Sequence, residues 1–122
     1  MTIAISIIAS LLTFKFSHFL RIGIVRASTL VTLFFYVILL FIRTHIVFDF
    51  EYFLALVFGA SFVGMSCPNR VGFLGVFLGS IIYSGLFHFL VPMLTGFGGA
   101  LGLSAFLGCV VAVCLRLYII RK

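Results

Sequence analysis

At 122 residues the chain is long enough for one domain, but 65% of it is apolar and only 8% is charged, against roughly a quarter charged in soluble domains. With Asp49 and Glu51 as its only acids, it has too little charge to hold such a surface in water, which excludes a water-soluble globular fold and requires a bilayer as solvent. The net charge of +6 is spread among hydrophobic runs rather than clustered, so nucleic acid is excluded as a partner, and the cations are read as setting orientation and meeting anionic lipid headgroups.

The expected fold is an all-α integral membrane protein, a compact bundle of four or five transmembrane helices in a single domain over residues 1–122. The first candidate span, residues 2–20, is interrupted by Lys15, which near a helix end can snorkel to the headgroups. A half-buried interfacial helix is the alternative there. Because the first cation follows the apolar run instead of preceding it, the segment is expected to stay on the protein and not to act as a cleaved signal.

Four further spans are predicted over 27–43, 51–67, 71–93 and 97–119, each reaching or approaching the roughly 20 residues that a membrane helix needs. Pro68 with Asn69 separates the third from the fourth, and Pro92 with Gly96 separates the last two, since proline disfavours helical geometry in the residue before it. Linkers this short make consecutive helices antiparallel neighbours. The segments ASFVG at 60–64 and SAFLG at 104–108 align without a gap, a hint of internal repetition too short to establish a duplication.

The second and fourth spans each carry a polar stripe. Ser28, Thr32 and Tyr36 fall four residues apart, as do Ser80, Ser84 and His88, so each set lies on one helical face. Placed side by side, the stripes would make one polar track, with Asp49 and Glu51 at its outer mouth. Packing by hydroxyls bonded back to their own helix is the competing reading. His88 is an ionisable group within a span and therefore a candidate relay.

Gly75/Gly79 and Gly98/Gly102 form two GxxxG pairs, and Ala100, Ser104, Gly108 and Ala112 make a small-residue ridge at four-residue spacing. Small residues let helix backbones approach in lipid, so these positions are assigned to helix packing within the monomer or between subunits. The stretch TGFGGALGLS at 95–104 is no phosphate loop, because no Lys lies between Lys15 and Lys122. Its residues Gly96 to Gly99 are read as an irregular turn at a helix start, with an unwound binding segment as the alternative.

Catalysis finds little support: GxSxG and HExxH are absent, and the loop RTHIVFDFE reads as a charged cap on the helix that follows. Cys67, Cys109 and Cys114 form neither CxxC nor a Cys/His cluster, so no disulfide framework, metal or other cofactor is expected. The leading functional expectation is a channel or transporter-like protein moving a small solute, ion or proton. A non-transporting subunit that anchors a larger complex is second, and a lipid-linked enzyme or enzyme partner is third. A homo-oligomer or a membrane partner protein is expected.

Alternating spans place Lys15, Arg21, Arg26, Arg70, Arg116, Arg121 and Lys122 on one side and Arg43 on the other. That asymmetry orients the chain with a cytoplasmic C-terminus, in a plasma membrane or a bacterial inner membrane. A reporter fused after Lys122 is therefore expected to be active only in the cytoplasm. Activity on the opposite face would invert every loop.

Overall fold

The computed structural model describes residues 1–19, 23–47, 49–67, 69–93 and 99–121. These form five helices and, among the described residues, no strand: α1 (Thr2–Phe19), α2 (Ile24–Arg43), α3 (Phe50–Gly64), α4 (Gly72–Met93) and α5 (Ala100–Ile120). All but α3 are long and apolar enough to cross a membrane.

Two helix boundaries differ from those expected, each for a local reason. Gly23 adopts φ 97°, a left-handed-side conformation that glycine enters without strain, and α2 starts directly after it, ahead of Arg26. At the end of α3, the Met65 amide bonds to the Ser61 and Phe62 carbonyls and closes the helix at Gly64, short of the residue that precedes Pro68. At 15 residues, α3 is about 22 Å long, against about 30 Å of hydrocarbon.

The short helix is the centre of the bundle. α3 packs against all four others, whereas α2 touches only α1 and α3, and α5 touches only α3 and α4. Leu56, Val57, Gly59, Ala60, Ser61, Val63 and Gly64 are all buried on it. α1 lies beside α2, α3 and α4 as a packed member of the bundle. It turns Ser6, Ala9, Ser10, Thr13 and Ser17 inward and leaves Ile3, Ile8 and Phe16 exposed. This is the reverse of a soluble amphipathic helix and matches the pattern that lipid favours, where close backbone contact and not apolar burial drives association.

Glycines make those contacts, though not all the expected ones. A Cβ on Gly59 would overlap the Tyr83 hydroxyl, and one on Gly64 would overlap the Ser10 carbonyl oxygen. Between α4 and α5, a Cβ on Gly108 would stand 3.0 Å from the Gly79 carbonyl oxygen and 3.2 Å from the Tyr83 amide nitrogen. Gly79 also faces Val63 of α3, where a Cβ would come to 3.3 Å. Ser104 is buried and donates to the Leu101 carbonyl at 2.9 Å.

The assignment of Gly75 and Gly102 to contacts between helices within the monomer is corrected. Gly75 makes room for Val71, one turn earlier in its own chain, and Gly102 is exposed with nothing within 4 Å of a Cβ built there. Gly98 lies outside the described residues, as does most of the Gly96–Gly99 segment. The likeness of 60–64 to 104–108 has a packing counterpart. Each carries two buried small residues and ends on a buried glycine that meets another helix's backbone, Gly64 on α1 and Gly108 on α4.

Replacing Gly59 or Gly108 by Leu is therefore expected to destabilise the purified protein by about 1–3 kcal/mol through overpacking. Gly102→Leu should leave its melting unchanged. Equal behaviour of all three in detergent melts would contradict this packing.

Candidate functional site

The two polar stripes take different surroundings. On α2, the Ser28 hydroxyl is buried and lies 2.9 Å from Ser61 Oγ on α3. Because Ser61 donates its own proton to the Phe58 carbonyl at 2.6 Å, Ser28 is the donor between the two. Thr32 donates back to the Ser28 carbonyl at 2.9 Å. Tyr36 is 39% exposed and sets its ring edge-on to Phe50, with centroids 5.7 Å apart.

On α4, Ser80 and Ser84 are buried, and Ser80 donates to the Phe77 carbonyl of its own helix at 2.8 Å. His88 is exposed, with Nδ1 lying 3.3 Å from the Tyr52 hydroxyl of α3. Tyr52 packs edge-on against Phe87 at 5.1 Å between centroids, which joins the start of α3 to the last turns of α4.

Within one chain the two stripes do not lie side by side: among the described residues α2 and α4 share no contact, and both pack on α1 and α3. The Ser28 stripe faces α3 from one side, while the Ser80 stripe belongs to the opposite part of the bundle.

Most of the buried hydroxyls come from positions the sequence reading passed over. Ser6, Ser10, Thr13 and Ser17 form an inward row on α1. They are spaced by four, three and four residues, so they share one helical face as the four-residue stripes of α2 and α4 do. Ser10, Thr13 and Ser17 bond back to the carbonyls of Ile7, Ala9 and Phe14. Ser6 Oγ alone, among the described buried side-chain nitrogen and oxygen atoms, has no partner.

Both acids stand at the α2–α3 turn. Asp49 occupies the N-cap of α3 but makes no side-chain capping bond, and Glu51 sits in the first turn, where a negative charge is favoured by the helix dipole. The capping role expected of Asp49 is therefore limited to position. The Arg43 guanidinium lies over the Phe50 ring, 5.4 Å from its centroid. Arg43, Asp49, Phe50 and Glu51 enclose a small polar recess of about 220 Å³. Glu51 also borders a larger groove of about 700 Å³ between α2 and α3, lined by Thr29, Thr32, Leu33, Tyr36, Leu54 and Phe58 among others.

At the opposite end, Arg116 of α5 donates to the carbonyls of Arg70 and Val71 at 3.1 and 2.8 Å. It packs over Gly72, whose φ of 66° turns the chain into α4. The thiol of Cys109 lies 3.2 Å from the Ser66 hydroxyl. Among the described residues no cluster of three His, Cys, Asp or Glu side chains has the geometry to hold a metal ion.

No protein-family model, curated protein or solved structure matches the chain.

The Ser28–Ser61 bond joins α2 to α3, and a double-mutant cycle with Ser28→Ala and Ser61→Ala should give a coupling of roughly 0.6 kcal/mol, the usual worth of such a bond in a membrane. Additive effects in a mixed-micelle unfolding titration would show that the pair contributes nothing.

Proposed function

We propose that the chain is a non-conducting membrane subunit that anchors a second transmembrane helix, from a partner or from another copy of itself. The observation that carries this reading is the separation of the two polar stripes by α1 and α3. A conducting path would need the hydroxyls to face a common lumen. Ser10, Thr13, Ser17, Ser80 and Ser104 instead bond to carbonyls of their own helices, and Tyr83 and Phe87 fill the interior between them. The docking face is the groove of about 390 Å³ between α3 and α5, lined by Phe62, Met65, Gly102 and Phe106 among others. The bare backbone at Gly102 allows an incoming helix to approach closely. The cation asymmetry supports placing the C-terminus of this subunit in the cytoplasm.

A second reading, a small proton or solute pathway along α1 and α4, rests on the unpartnered, fully buried Ser6 hydroxyl and on the Tyr52–His88 pair near the end of α4. A buried hydroxyl without a partner costs about 1–3 kcal/mol, a cost that a passing water or solute would relieve.

Liposomes holding purified protein distinguish the two. The anchoring reading expects proton and solute flux equal to that of empty liposomes, together with a Gly102→Leu variant that melts like the parent but assembles into a smaller species. Flux above the empty control that is lost in Ser84→Leu or His88→Ala would establish the pathway and overturn the anchor.

A further inference from the structure

We infer that the α2/α3 groove and the recess at its Arg43 end form one binding site for a phospholipid carrying a primary ammonium headgroup, drawn from the leaflet that the α2–α3 turn faces. The two spaces share Glu51 as a lining residue, so an apolar trough of about 700 Å³ and a charged recess of about 220 Å³ lie next to each other. An amphiphile with one chain along the helices and a polar head at the turn matches that division.

The trough suits hydrocarbon and not a polyol. Leu33, Leu54, Ala55 and Phe58 supply apolar walls, and the two threonines that line it have committed hydroxyls. Thr29 donates to the carbonyls of Val25 and Arg26, and Thr32 to that of Ser28. Away from Tyr36 and Glu51, which also line the trough, a sugar or glycol would find few donors or acceptors for its hydroxyls, whereas an acyl chain needs none.

The recess suits a zwitterion with a hydrogen-bonding cation. Arg43 provides a guanidinium for the phosphate, the kind of side chain that pairs with phosphate through a fork of donors. Glu51 and Asp49 provide two carboxylates for the ammonium, and Asp49 is not engaged in capping α3. A trimethylammonium head has no N–H to give a carboxylate and is instead held over aromatic faces. The face of Phe50 already carries Arg43. A purely anionic head would set its charge against both acids. A primary ammonium is left as the matching cation.

This site is independent of whether the bundle conducts or anchors, so flux and lipid measurements succeed or fail separately. The test is native mass spectrometry of the detergent-purified full chain, incubated with equal amounts of phosphatidylethanolamine, phosphatidylcholine and phosphatidylglycerol with identical acyl chains. The parent is expected to retain phosphatidylethanolamine roughly threefold over the other two, the scale of a solvent-screened ion pair. The double variant Asp49→Asn, Glu51→Gln changes exposed side chains without altering their size, and it should lose the preference while staying folded, with melting lowered only by the lost helix-dipole contribution. Ala55→Phe, which fills the trough, should lower retention of all three lipids together. Equal retention by the parent would overturn the site, as would a preference that survives in the double variant. Undiminished binding by a folded Ala55→Phe protein would place the lipid elsewhere, and a lipid-free dimer abolished by Ala55→Phe would give the groove to a second copy. If Ala55→Phe fails to fold, the double variant still decides.

Discussion

Close backbone approach at α3 is the constraint on which the remaining structure depends. Gly59 lies under the Tyr83 hydroxyl, which donates to the Leu56 carbonyl at 3.2 Å, and Gly64 lies under the backbone of Ser10. These contacts seat α4 and α1 on α3. α2 is then tied on by Ser28 and Ser61, and α5 by Gly79 and Gly108. A helix packed against all four others leaves little of its own surface uncovered.

The same constraint explains the polar residues. Serine and threonine are small, and a helix can satisfy their hydroxyls by a bond to the carbonyl three or four residues back, as Ser10, Thr13, Ser17, Ser80 and Ser104 do. Once bonded in this way they behave as small, nearly apolar packing residues. A row of them is then a surface for another helix as readily as the wall of a passage. Ser6 is the exception, because its hydroxyl is enclosed without a partner.

At two of the turns, charge serves the fold in different ways. Arg116 satisfies two carbonyls at the α3–α4 connection and fastens α5 to it. At the other end Arg43 lies over Phe50, Asp49 makes no capping bond, and Glu51 also lines the groove between α2 and α3. One end is thus closed by protein groups, while the other offers charged groups at the mouth of an apolar trough.

Helical class and the approximate extent of each helix were determined by sequence alone. In a hydrocarbon solvent every backbone amide and carbonyl must pair within its own segment, so a long apolar run is itself a structural statement. Even α1, with Lys15 inside it, is one continuous helix. Which face of each helix turns inward was decided only by tertiary structure. Nearly all faces are apolar, so hydrophobic periodicity carries little direction, and spacing marks Gly75 and Gly102 but not Gly59 or Gly64. The neighbours of α2 and α4 were hidden for a related reason: the two stripes were legible as stripes, but the insertion of α1 and α3 between them depends on where small residues on four helices find one another, and no single helix encodes that.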